Sequence, residues 1–390
     1  MQSFYSADYF EARQRFREAV ARLGGTHEYH LFGTRGAQSE PLTTDFGRFG
    51  DAGARRLLII SSGLHGIEGF FGSAVQLAWM AAQSDTWQPP SETAVMLAHS
   101  LNPYGFSWHR RCNENNVDLN RNFLTDDSFR TNDPHYLESL AIYLRQSDVL
   151  NVPGPPSRLE SFWWKAMRRV VSEGYQARSR MMRSKRPSRV SIGQIVALGL
   201  AELRKSLPVG QYEVPAGVFF GGIEPEETTR MFGDNVANWM TDAEEVLHLD
   251  LHTGLGRFGE HVLLLGAEPG SDRDRWAKAR FNDRVEALGG PTAYRPHGDM
   301  LEFLQATHGE NYHGLTAEFG TYSGIHVLGV LCDENRAHLH ADRQSATYRW
   351  AKKRLMEAFA PASRRWRDRT LRDGVALIDR GLAALATGRG

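Results

Sequence analysis

The feature that most constrains this chain is a set of short apolar runs, each ending abruptly in glycine or polar residues. RRLLIISSGLHG carries one at residues 57–61, broken by Gly63, and TAVMLAHSLNP carries one from residue 93 to an Asn-Pro turn at 102–103. AEEVLHLDLHTG carries another near 246–251, EHVLLLGAEP a fourth, and GLTAEFGT a fifth near 315–319. Runs this short and this apolar suit strands covered by helices on both faces. Helical stretches lie between them, notably an Ala-, Leu-, Gln- and Met-rich segment at 69–82. Covering helices are expected at about 345–359 and in the Arg-rich segment that follows. The opening segment reads as a helix too, with Ser6 as N-cap and Gly24-Gly25 as its stop. The alternation predicts an α/β/α sandwich around a mixed, mostly parallel central sheet. The whole span 1–390 is expected to form a single domain, with no internal repeat.

Charge and cysteine content narrow the function classes. Lys and Arg total 46 against 46 Asp and Glu, a balance that argues against nucleic acid or an anionic membrane as partner. No apolar run approaches the ~18 residues that span a bilayer, and the mean hydropathy is −0.45. Cys112 and Cys332 cannot make a disulfide framework, and their separation does not fit a structural zinc site. The N-terminus MQSFYSADYFEARQRF lacks the basic start and apolar core of a signal peptide. The expectation is a soluble, cytoplasmic protein.

One stretch departs from the alternation. Residues of about 150–208 read as a helical, basic insertion. Its cations, which include Lys165, Arg168, Arg178, Arg180, Arg183 and Arg186, are opposed between 165 and 189 by Glu173 alone. It reads as a solvated helical face or as a positive wall that draws in an anionic substrate. No nucleic-acid recognition motif accompanies the charge.

The chemistry sits where strands end. His65-Gly66-Ile67-Glu68 places an imidazole and a carboxylate in the turn after the first apolar run. Asp250-Leu251-His252 and Glu318 end two later runs. Open α/β sheets collect ligands at the C-terminal ends of their strands, so these residues and Asn102-Pro103 are expected to share one cleft. Catalytic zinc needs only three imidazole or carboxylate ligands. With no HExxH present, they would come from separate strands. The densest signal is residues 110–123, RRCNENNVDLNRNF, with three Arg and five Asn. An Arg fork beside an amide suits a carboxylate, and the sequence offers no packing reason for so many Asn. Gly254-Leu255-Gly256-Arg257-Phe258-Gly259 spells a dinucleotide fingerprint, but a strand rather than a helix is expected after it. Neither a nucleophile elbow nor a phosphate-binding P-loop is present.

Taken in order, H-x-x-E, N-P-x-G, R-x-N-x-x-x-V-D-L-N-R-N-F, D-L-H and T-x-E-F-G resemble the zinc carboxypeptidase (M14) superfamily over about residues 57–322. The block Gly210-Gln211-Tyr212, Pro215, Phe219-Phe220-Gly221-Gly222 and Pro225 resembles the DUF2817 family more than the digestive carboxypeptidases. The resemblance implies His65, Glu68 and His252 as ligands of one zinc ion and Glu318 as general base and acid. It implies Arg111 as the group that steadies the oxyanion, with Arg110 a close competitor. Asn120 and Arg121 match the pair that grips the substrate carboxylate. Asp118 and Asp250 match acids that orient the ligand histidines. Tyr294, Tyr312 and Tyr322 are candidates for the family's flexible tyrosine. The implied substrate is a small peptide or N-acyl amino acid with a free carboxylate. Metallocarboxypeptidase action is the first reading and aspartoacylase- or desuccinylase-like deacylation the alternative. A non-enzymatic binding module would require a vestigial zinc site.

Overall fold

The computed structural model describes residues 3–124, 134–145, 150, 151, 154–156, 209–290 and 294–386. Nearly all of the basic insertion, including every cation named in it, lies outside the described residues. Eight strands form one sheet: β1 (Thr26–Arg35), β2 (Pro41–Phe49), β3 (Arg56–Ser62), β4 (Thr93–His99), β5 (Glu245–Gly254), β6 (His261–Leu265), β7 (Val285–Ala287) and β8 (Tyr312–Gly320). Their order is β1-β2-β4-β3-β5-β8-β6-β7. The centre β4-β3-β5-β8 is parallel throughout, while β1, β2 and β6 join by antiparallel pairs. This is the mixed α/β sheet expected from the apolar runs.

Successive side chains of a strand point to opposite faces, and the central strands are apolar on both. Leu58, Ile60, Val95, Leu97, Leu247 and Leu249 share one core beneath α1 (Tyr9–Arg22), α2 (Gly69–Ala82) and the long helix Arg364–Ala386. Leu57, Ile59, Ala94 and Met96 belong to the other, under helices Glu227–Trp239, Met300–His308, Gly324–His340 and Ala346–Phe359. Burying each such side chain contributes about 1.5–3 kcal/mol, so the hydrophobic effect fixes strand order and register. On the second face β5 and β8 break the rule. His248, Asp250 and His252 on β5, with Thr316 and Glu318 on β8, occupy buried positions where hydrophobes would pack.

Local signals hold with two exceptions. α2 covers residues 69–82 as expected, Ser345 caps the helix Ala346–Phe359, and a strand follows the glycine-rich 254–259 segment. The cap of α1 is Asp8, not Ser6: the Asp8 carboxylate accepts from the Glu11 N–H, while the Ser6 hydroxyl accepts from Arg15. The β1–β2 hairpin escapes the sequence reading because β1 is an exposed sheet edge with no apolar run. Among the described residues, no helix is long and apolar enough to cross a membrane. Both cysteines are buried free thiols.

Candidate metal centre

Residue periodicity brings the site together. β3 and β5 run parallel with Ser61 opposite Asp250, and β5 and β8 with His252 opposite Glu318. Beyond β3 the chain turns through Gly66–Glu68. A Cβ on Gly66 would lie 2.1 Å from the Gly105 carbonyl carbon, so only glycine lets this turn press against the 105–111 loop. Backbone bonds fasten the two: Gly66 N–H donates to the Arg111 carbonyl at 3.2 Å and Ile67 N–H to that of Arg110 at 2.7 Å. Asn102, N-cap of the short helix Pro103–Ser107, adds a side-chain bond to the Arg111 carbonyl at 3.1 Å. The Asn-Pro turn therefore supports the cleft wall rather than its contents.

The ligand atoms of His65, Glu68 and His252 all lie within 4.8 Å of one another, and all three residues are buried. His65 Nδ1 is 2.8 Å from one Glu68 oxygen, His252 Nδ1 is 3.0 Å from the other, and the two Nδ1 atoms are 3.1 Å apart. The opposite ring nitrogens face acids, His65 Nε2 towards Asp118 at 3.1 Å and His252 Nε2 towards Asp250. A carboxylate only accepts. Glu68 accepts only as well, so both nitrogens of each ring face acceptors. With Nε2–H given to Asp118 and Asp250, Nδ1 of each ring can turn a lone pair towards Glu68 only where a metal ion takes the place of its proton. Three lone-pair donors aimed at one point repel each other unless a cation lies between them. Two imidazoles and a carboxylate, here from the turn after β3 and from β5, are a donor set of catalytic zinc sites, with acids behind the ligands setting their tautomers. The residues fit such an ion.

The surrounding charges agree. Burial opposes ionisation of Glu68, yet the His65 and His252 rings hold its carboxyl well below the usual range. Burial would lower the His252 pKa, but Asp250 and Glu68 on either side drive it well above normal. The same negative surroundings favour a divalent cation in place of that proton. Glu318 differs. Burial first, and the charge on Glu68 second, push its carboxyl up to about 7. It is held by one bond from the Leu255 N–H at 2.7 Å, from the loop that leaves β5 through Gly254 at φ +145°. A buried carboxyl that titrates near neutrality can take up and return a proton.

The two neighbouring arginines separate. Arg111 donates through Nε to Asp118 at 2.8 Å, and its NH1 is 3.6 Å from Glu68. Phe219, at φ +59°, lies beneath its guanidinium at 5.7 Å. Arg110 turns away from the cluster to Glu334, Asn116 and Asn335; the structure does not bring it to the site. Asn120 also has other work: its amide donates to Asp299 at 3.1 Å and accepts from the Met300 N–H at 2.9 Å, at the start of the helix Met300–His308. Arg121 is buried, bonded to the Asn120 carbonyl and to the Tyr294 hydroxyl at 3.1 Å. The remaining Asn residues do have a packing reason. Asn116 donates to the carbonyls of Pro215 and Gly217, and Asn122 to those of Gly221 and Glu224. Together they fasten the 209–226 segment over the arginine loop.

Of the candidate tyrosines, Tyr294 stands with Arg121. Tyr322 bonds Glu357, and Tyr312 is fully buried against His248. Sequence reasoning assigns no role to Ser61 or His248, and Phe219 figures in it only within the block that resembles the DUF2817 family. The period-two spacing of His248, Asp250 and His252 carried the signal for the second of these; a bulky residue at positive φ leaves none.

A model of the family described as "Protein of unknown function (DUF2817)" matches residues 5–184 and 184–373. No curated protein matches the chain in sequence. Among solved structures, a metallo-carboxypeptidase from Burkholderia cenocepacia is 10% identical, covering 97% of this chain and 69% of its own, at a TM-score of 0.43. Carboxypeptidase A from Helicoverpa armigera is 13% identical, covering 94% of this chain and 76% of its own, at a TM-score of 0.41.

Proposed function

The chain belongs to the DUF2817 family, and from that premise we propose that it is a zinc-dependent hydrolase of an amide bond next to a free carboxylate, acting on peptide C-termini. One observation carries the reading: ligand atoms of His65, Glu68 and His252 converge within 4.8 Å, on the face that holds Glu318, whose carboxyl burial and the Glu68 charge push up to about 7. Bound by His65, Glu68 and His252, zinc would polarise a carbonyl oxygen and acidify a water molecule. Glu318 takes the proton of the attacking water at its carboxylate and returns it to the departing amine. Arg111, anchored by Asp118, directs its remaining N–H groups to where oxyanion charge develops. Arg121 holds the substrate carboxylate, with the Tyr294 hydroxyl beside it, and so fixes which bond faces the ligands. Asn120 supports this grip from behind, since its amide is bonded to Asp299 and Met300.

The test joins metal content to turnover. Purified protein is expected to hold one zinc per chain and to release C-terminal residues from a peptide panel. Release from N-acyl amino acids instead would move the activity to deacylation. Absence of zinc, together with unchanged behaviour of Glu318→Gln, would overturn the enzyme reading.

A further inference from the structure

Behind Asp250 a buried chain of polar groups runs inwards through the sheet. Ser61 Oγ donates to Asp250 Oδ1 at 2.6 Å and lies 2.6 Å from His248 Nε2. His248 Nδ1 is 2.5 Å from the Tyr312 hydroxyl. Ser61, His248, Asp250 and Tyr312 are each 0–1% exposed. Nothing in the proposed mechanism uses Ser61, His248 or Tyr312.

The direction of each bond follows from chemistry. Asp250 is an acceptor only, so the Ser61 hydroxyl must spend its one hydrogen on it. Ser61 Oγ is then left as acceptor, and His248 must present Nε2–H. Burial pushes the His248 pKa down to about 4, so the ring is neutral near pH 7, Nδ1 holds a lone pair, and Tyr312 donates to it. Every hydrogen in the chain points towards Asp250. With Oδ1 saturated and fixed, Oδ2 accepts from His252 Nε2–H, so Nδ1, on the Glu68 side, is the nitrogen that a metal ion could take in place of a proton.

We propose that Tyr312, His248 and Ser61 are positioning residues, a one-way hydrogen-bond chain that fixes which nitrogen of His252 is offered to the metal. The inference rests on the metal reading above. It extends the single acid behind a ligand histidine by three residues into the core, to the strand that carries Glu318. Reversing any one bond would leave two donors or two acceptors facing each other in a dry interior, at a cost that a neutral ring cannot relieve.

Selective 15N labelling of histidine reads the arrangement directly in the unmutated protein. The expected His248 signal is the neutral Nε2–H tautomer; the Nδ1–H tautomer, or an imidazolium at pH 7, overturns the proposal. Zinc affinity from chelator competition reads its consequence. Ser61→Ala and Tyr312→Phe are each expected to weaken binding roughly 10-fold, the low end for groups behind a ligand. A merely structural role would lower the melting temperature of metal-free protein without loosening zinc. Affinities within twofold of the unmutated protein for both variants therefore overturn the proposal while leaving the metal site standing. Unmutated protein that binds no zinc removes both.

Discussion

Two buried ionic clusters lie a few residues apart and behave in opposite ways. In one, Arg110 and Lys352 share Glu334, at 3.1 and 2.5 Å. Arg110 also donates to Asn116 and Asn335, both at 2.8 Å. Donors there meet acceptors, and the cluster satisfies itself. In the other, Glu68, Asp118, Asp250 and Glu318 surround two imidazoles with Arg111 as the cation paired to Asp118 and Glu68. There, acceptors meet acceptors. Burial of charge is common to both, so it marks neither as functional. The sign of the imbalance separates them: four carboxyl groups with Arg111 as the fixed cation favour an added positive charge, whether a proton on an imidazole or a metal ion. Arg110 and Arg111 join different clusters although both of their carbonyls are bonded to the 66–67 turn.

The sharpest way to break this contrast is Glu318→Gln. It should lower kcat roughly 10²–10⁴-fold, the range for losing a general base, with zinc content unchanged; an accompanying loss of zinc would make Glu318 a ligand instead. Next come the paired arginines. Arg111→Ala should cost about 10²–10³ in kcat and lower the unfolding midpoint as well, because it leaves Asp118 buried without its partner. Arg110→Ala should leave kcat nearly unchanged but destabilise by about 3–5 kcal/mol, as when one partner of a buried ion pair is removed. Equal effects in both assays would erase the distinction between the clusters. The pH profile is a milder probe. A base must be ionised to accept a proton, so kcat/KM should fall on the acid side. Its midpoint should lie at or below about 7, because a bound cation draws the Glu318 pKa downwards. A profile flat across the acid range would contradict that role.

The smallest effect belongs to the self-satisfied cluster. Burial lowers the Lys352 pKa from 10.5 to about 8, so the folded state binds fewer protons than the unfolded chain between those values. Stability should therefore rise with pH across that window, by on the order of 1–3 kcal/mol. Denaturant melts of Lys352→Met should show the rise abolished and the metal site undisturbed.

Much of this was legible in the sequence because burial writes itself into hydrophobic runs. β3, β4, β5 and β8 were marked by such runs, and their polar ends, His65, Glu68, His252 and Glu318, stood out as interruptions. β1 was not, since an edge strand that faces solvent needs no apolar run. β2 lies inside the sheet between β1 and β4 and is largely buried, but Thr43, Thr44 and Asp45 interrupt its apolar pattern. The Asn-rich loop misled for a related reason. Asn bonds backbone carbonyls as readily as ligands, and which of the two it faces depends on a segment about a hundred residues away in sequence. The split between Arg110 and Arg111 likewise depends on Glu334, whose proximity no local pattern encodes.

The ligand histidines are 187 positions apart along the chain, and the 66–67 turn reaches the metal centre only after β5 has docked beside β3. An ion held there is in effect a removable cross-link, closing a very long loop. Such closure gains most where the open chain has most freedom to lose. Neither half of the polypeptide holds the complete ligand set, so an ion could be held by all three ligands only once β3 and β5 are paired.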